Sequence, residues 1–104
     1  MPGFVTATEA FAAYDAGARY LKLFPASNFG TAYLKQLLAV LPLDAIIVPV
    51  GGIAASDIAA WWAIGARGFG IGSEIYRPGQ PPDTTYARAT ELIAALRGVR
   101  CETG

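Results

Sequence analysis

The sequence predicts an α/β fold with a parallel sheet, built from four successive strand–helix units. Three observations carry that expectation. Short apolar strands alternate with helix-length segments along the chain. The second, third and fourth strands open near positions 20, 45 and 68, at intervals of 25 and 23 residues. The third, residues 45–50, is apolar throughout, as a parallel strand covered on both faces should be. Such alternation implies right-handed crossovers, and two architectures accommodate it: an open doubly wound sheet, or part of a (β/α)8 TIM barrel. A whole barrel needs about 200 residues or more. At 104 residues the chain is one domain or part of one, and its four units correspond to half a barrel, the C-terminal half, with no second domain expected.

Each element has its own signal. Residues 3–6 form the end of a first strand. Thr6 and Glu9 then have capping-box spacing, in which each side chain satisfies a free backbone donor at a helix start. That helix runs to about Ala16, where Gly17 stops it. Residues 20–24 are the second strand, which Pro25 helps to end. By the two-residue period, Tyr20, Lys22 and Phe24 share one face while Leu21 and Leu23 face the helices. Residues 33–41 read as a helix with Leu34, Leu37, Leu38 and Leu41 on one stripe, halted by Pro42. Gly51-Gly52 break the third strand. Ser56 then caps a helix running to about Ile64, closed by Gly65, on which at least one of Trp61 and Trp62 packs against the sheet. Residues 68–72 are a short, glycine-rich fourth strand. A proline-rich loop over 78–82 leads to a last helix over 83–96, and the polar tail beyond Gly98 frays.

Composition narrows the function classes. A hydrophobic fraction of 54% against 15% charged is too apolar for a disordered segment. An isolated half-barrel leaves two sheet edges and one apolar sheet face uncovered, and the high apolar fraction agrees with that. Eight acidic and eight basic residues cancel, and there is no histidine. No basic face recommends nucleic acid or an anionic membrane as partner. The longest apolar run is far too short to span a bilayer, and the N-terminus lacks the pattern of a secretion signal, so a cytoplasmic location is expected. Cys101 has no partner for a disulfide and reads as a free thiol; a metal site of the usual ligands is not expected, and no cofactor is implied.

The chemistry centres on Lys22, which interrupts an apolar strand near the point where it opens into a loop. Burial penalises an ammonium and lowers its pKa, and a neutral amine can attack a carbonyl to form a Schiff base. The opposing reading is an edge-strand lysine whose stem lies on apolar surface with its head in water. In a closed barrel Lys22 points inward near the open end, where Phe24 and Pro25 wall a pocket that keeps the amine dry. In either architecture the loops after the strands form the functional face. Gly51-Gly52 after the third strand can bring backbone N–H groups close to an anion, and Gly70-Ile71-Gly72-Ser73 adds donors and a hydroxyl after the fourth. Phosphate binding by the loops after strands seven and eight recurs in barrels, and these two loops occupy those places in a C-terminal half. Glycines that merely make tight turns would look the same singly; two such loops following an intrastrand lysine favour the site. Glu9 reads as a cap and Glu74 as a surface residue near the functional end. Arg19 and Lys35 read as solvated charges, and Arg77 as a possible aid to the phosphate loops.

These residues resemble the 2-keto-3-deoxy-6-phosphogluconate aldolase family of class I aldolases. The resemblance covers roughly residues 2–97. It rests on Pro2-Gly3 with Thr6-Ala7-Thr8-Glu9, Leu21-Lys22-Leu23-Phe24-Pro25, Val50-Gly51-Gly52-Ile53 and Gly70-Ile71-Gly72-Ser73. Ala16-Gly17-Ala18, residues 27–30, Tyr76-Arg77-Pro78-Gly79-Gln80 and Val50 before the paired glycines point to the branch acting on 2-dehydro-3-deoxy-6-phosphogalactonate. The resemblance implies a (β/α)8 barrel, commonly a trimer, that needs no metal and yields pyruvate and glyceraldehyde 3-phosphate. Lys22 matches the imine-forming lysine, Phe24 and Pro25 its flanking residues, and Val50, Gly51, Gly52, Gly72 and Ser73 the substrate- and phosphate-binding positions. Family members run to about twice this length. Their catalytic glutamate and substrate-binding arginine lie in an N-terminal half, so this chain reads as the C-terminal half of such a barrel. Two other functions fit the same residues: a phosphate-binding barrel enzyme without a Schiff base, and a non-catalytic half-barrel module that associates through its exposed sheet face.

Overall fold

A computed structural model describes residues 1–103, organised around a parallel sheet. Strands β1 (Gly3–Phe4), β2 (Tyr20–Leu23) and β3 (Ile46–Pro49) lie side by side in chain order. The register sets Gly3 beside Lys22, and Lys22 beside Val48. The expected fourth strand over 68–72 contracts to a single parallel bridge between Val50 and Gly70. Its glycines have no side chains to pack, which weakens a strand. Gly68 and Gly70 instead lie against the side chains of Val48 and Val50.

Helix α1 (Ala7–Asp15) begins as its spacing requires: the Thr6 hydroxyl accepts from the Glu9 N–H, and Glu9 accepts from the Thr6 N–H at 3.0 Å. Helix α2 (Ala26–Val40) starts directly after β2 rather than at Tyr33. Its first turn is anchored to the segment leaving the neighbouring strand β3, where the Ala26 N–H donates to the Val50 carbonyl and the Ser27 N–H to the Gly51 carbonyl. Gly30, at φ 83°, breaks the helix there, so only the second half carries the leucine stripe. A 3₁₀ turn (Ala55–Asp57) leads into α3 (Ile58–Ala63). Ser56 does not cap it; the Asp57 carboxylate accepts from the Ala54 N–H at 2.9 Å and closes that turn. Helix α4 (Pro82–Thr103) runs through Gly98 instead of fraying there. Leu92 and Val99, two turns apart, are both buried, and that packing outweighs the weak helix propensity of glycine.

The core lies between sheet and helices. Phe4, Leu21, Leu23 and Ile47 point to the helical side and meet Ala10, Leu34, Leu37, Ile53, Ile58 and Trp61. Each fully buried leucine or isoleucine contributes about 1.5–3 kcal/mol relative to exposure. Trp62 is half-buried, with the Arg67 guanidinium 4.3 Å from its ring centre. At the N-terminal ends of the strands Arg19 is not simply solvated: it pairs with Asp44 at 3.1 Å and stacks on Tyr14 at 3.9 Å. The Tyr14 hydroxyl donates to Asp44, which holds that carboxyl below its usual range. Among the described residues no helix is long and apolar enough to cross a membrane.

Candidate active site

Because the strands are parallel, their C-terminal ends share one edge, and the segments leaving that edge carry the residues that sequence singles out. Lys22 is the next-to-last residue of β2; Phe24 and Pro25 follow that strand, joined by a cis peptide. Val50, Gly51 and Gly52 follow β3, while Gly72 and Ser73 follow the Val50–Gly70 bridge. The topology therefore brings all eight positions to one end of the sheet.

Lys22 is fixed by its neighbours. Its N–H donates to the Pro2 carbonyl at 2.8 Å, and its side chain runs over Gly3, where an added Cβ would stand 3.2 Å from Lys22 Cε. The missing side chain of Gly3 leaves room for the lysine stem. Lys22 shares its face with Tyr20 and Phe24, as the period requires, while Leu21 and Leu23 are fully buried on the other. The dry pocket expected around the amine is not closed by the described residues. Lys22 is half-buried, and Tyr20 and Phe24 remain 59% and 52% exposed. Phe24 lies over Gly51, whose added Cβ would meet the ring at 3.1 Å, so it walls the glycine loop rather than enclosing the lysine.

Gly51 and Gly52 both hold positive φ, 104° and 71°. A Cβ on Gly52 would overlap the Ser27 side chain, so the loop after β3 and the start of α2 fit only because this position is bare. Ser27 is thus a supporting residue that sequence reasoning missed; its one signal was membership of the 27–30 stretch. Beyond the bridge, Gly72 opens a single turn in which its carbonyl accepts from the N–H groups of Ile75 and Tyr76, at 3.0 and 3.1 Å. Ser73 is exposed at the start of that turn, and Arg77 Nε donates to its carbonyl at 3.2 Å. Tyr33 braces the loop after β1 by donating its hydroxyl to the Val5 carbonyl at 2.6 Å.

Of the carboxylates near this edge, Glu74 sits on the turn beside Ser73, whereas Glu9 is not free to act. Glu9 is engaged by its helix cap; the Thr6 N–H, then the Thr6 hydroxyl and Val5 N–H, hold its pKa below the usual glutamate value. Among the described residues no group of three or more His, Cys, Asp or Glu side chains could hold a metal. What the arrangement offers is an amine on the open sheet face and two glycine loops beside it.

The profile of the KDPG and KHG aldolase family matches residues 1–92. The chain belongs to that family. Among curated relatives, the 2-dehydro-3-deoxy-6-phosphogalactonate aldolase of Escherichia coli (strain K12) is 47% identical over 96 residues, covering 92% of this chain and 47% of its own length. A probable 2-dehydro-3-deoxy-6-phosphogalactonate aldolase of Rhizobium meliloti (strain 1021) is 46% identical over 99 residues, covering 95% and 47%. A solved native KDPGal structure superposes with a TM-score of 0.89 at 46% identity, covering 94% of this chain and 48% of that one. Its fold is of the TIM-barrel type, which decides between the two architectures: the sheet is part of a KDPG and KHG aldolase barrel, not an open doubly wound sheet. The chain spans about half the length of the curated relatives it matches.

Proposed function

We propose that this chain supplies the imine-forming half of a class I aldolase acting on 2-dehydro-3-deoxy-6-phosphogalactonate. The observation that carries the reading is the placement of Lys22 on the open sheet face, one residue before the strand end and beside two glycine loops, in a chain 46–47% identical to relatives of that name. The Lys22 amine attacks the keto carbon of the substrate and water leaves, giving a protonated imine. Cleavage of the C3–C4 bond requires removal of the C4 hydroxyl proton, and its electron pair enters the imine as an enamine while glyceraldehyde 3-phosphate departs. Protonation of the enamine and hydrolysis release pyruvate and restore the amine. The Gly51-Gly52 and Gly72-Ser73 loops, with Val50 behind them, would take the substrate's phosphate, and Phe24 and Pro25 flank the reacting end. Holding the phosphate fixes which bond sits over the imine.

The general base for the C4 hydroxyl comes from the other half of the barrel in this reading, since Glu9 is committed to its cap. Assembly as a trimer and action in the cytoplasm, in galactonate breakdown, follow from the family likeness and complete the proposal. The test is mass measurement after incubation with pyruvate and borohydride. The sequence has two lysines, Lys22 and Lys35, so peptide mapping discriminates cleanly. A reduced pyruvyl adduct on Lys22, absent in Lys22→Arg, is expected. An adduct on Lys35 alone, or none on the folded chain, would overturn the assignment. A phosphate-binding barrel enzyme without a Schiff base would instead keep much of its activity in Lys22→Arg.

A further inference from the structure

The turn that carries Ser73 ends in a way that ordinary helical bonding does not complete. Residues 72–76 make one turn, closed by the Gly72 carbonyl. In a continuing helix the next carbonyls would accept from N–H groups four residues on. Here the partner of Glu74 would be Pro78, which has no N–H. Three consecutive carbonyls are taken by side chains instead. Arg77 Nε donates to Ser73 at 3.2 Å, Arg88 Nη1 to Glu74 at 3.4 Å, and Gln80 Nε2 to Ile75 at 2.5 Å. Gln80 is itself tied to α4 through the Thr85 hydroxyl at 2.8 Å.

The three donors come from different places. Arg77 and Gln80 bracket the turn around Gly79, and Arg88 reaches in from α4. Arg88 is half-buried and lines a cleft of about 210 Å³ with Ala54, Ser56, Glu74 and Glu91. Its lining draws on the residues that follow both loops, Ala54 after Gly51-Gly52 and Glu74 after Ser73. In a helical turn the carbonyls point to its C-terminal end, so holding the carbonyls of Ser73, Glu74 and Ile75 fixes the plane of the peptide groups around Ser73.

We infer that Arg77, Gln80 and Arg88 are positioning residues that hold the Ser73 turn in the orientation needed to bind a phosphate group. The inference rests on the phosphate role proposed for Gly72 and Ser73. Arg88 has the leading part, because it reaches the turn directly from α4, whereas Gln80 lies before that helix and is tied to it only through Thr85.

The test is titration of the 104-residue chain with inorganic phosphate, followed by the amide chemical shifts of Gly51, Gly52, Gly72, Ser73 and Glu74. Wild type is expected to shift at these amides. Arg88→Met is expected to bind phosphate about fivefold more weakly, the loss of one net hydrogen bond, with partial rescue in Arg88→Lys. Arg77→Met and Gln80→Leu carry the same test should Arg88→Met fail to fold. Shifts in wild type with unchanged affinity in the folded variants would overturn the positioning role and leave the phosphate site standing. No shifts in wild type would overturn both.

Discussion

Gly52 concentrates the demands of the loop after β3 in one backbone position. Its φ of 71° is one that side-chain-bearing residues rarely adopt, and a Cβ there would overlap Ser27. A left-handed non-glycine residue costs about 1–3 kcal/mol, so Gly52→Ala is expected to lose that much stability in thermal melts. Gly72 is the matched control. It has no positive φ, and an added Cβ meets nothing within 4 Å. Gly72→Ala should therefore stay within about 0.5 kcal/mol of wild type. Equal losses at both positions would show that the glycines serve generic turns. The same contrast explains why residue types were readable here and their reasons were not. Adjacent glycines after an apolar strand announce a loop, but that Gly52 must be bare because of Ser27, and that Gly3 lies close under the Lys22 stem, is known only once distant segments are packed.

At the scale of elements, the capping box joins sequence to stability most directly. Thr6→Ala removes the hydroxyl that accepts from Glu9 and is expected to cost about 1 kcal/mol, read as a lower urea midpoint with unchanged slope. The box is also pH-dependent. Glu9 holds its proton less readily folded than unfolded, chiefly because the Thr6 N–H bonds its carboxylate. Its stabilisation is therefore complete above the unfolded pKa, near the usual glutamate value, and is lost as pH falls through the lower folded one. The stability difference between wild type and Glu9→Gln should shrink across that acid range; parallel curves would remove the carboxylate from the account. Signals held within a few residues were legible in this way: the Thr6–Glu9 box, the Leu21/Leu23 alternation in β2, the apolar run of β3. Elements settled by distant partners were not. Helix α2 begins at Ala26 because Val50 and Gly51 accept its first N–H groups, and α4 passes Gly98 because Val99 reaches the core. The glycine-rich fourth strand keeps only its bridge at Gly70. Of the candidate site, the strand ends placed the amine and both glycine loops on one edge as expected. The contact of Arg88 with the Glu74 carbonyl was invisible, since a helix reaching back onto a loop leaves no local pattern.

The whole molecule shows an imbalance between its two sheet faces. The helical face is packed by Phe4, Leu21, Leu23 and Ile47, whereas the face that bears Lys22 leaves Tyr20 and Phe24 more than half exposed. In a complete barrel that second face is interior, filled by side chains from every strand. The proposed chemistry divides along the same line. Imine formation needs the amine and a keto acid, both available to this chain. Carbon–carbon cleavage needs in addition a base at the C4 hydroxyl, and positioned acid–base groups contribute about 100- to 10,000-fold. The isolated chain is accordingly expected to trap pyruvate on Lys22, yet to release pyruvate from 2-dehydro-3-deoxy-6-phosphogalactonate more slowly than the full-length Escherichia coli relative by about that factor. A coupled assay of pyruvate release at equal concentrations decides it. Matched rates would place the missing base within these 104 residues. Glu74, on the turn beside Ser73, would then be the first carboxylate to replace, because Glu9 is already engaged by its cap on α1.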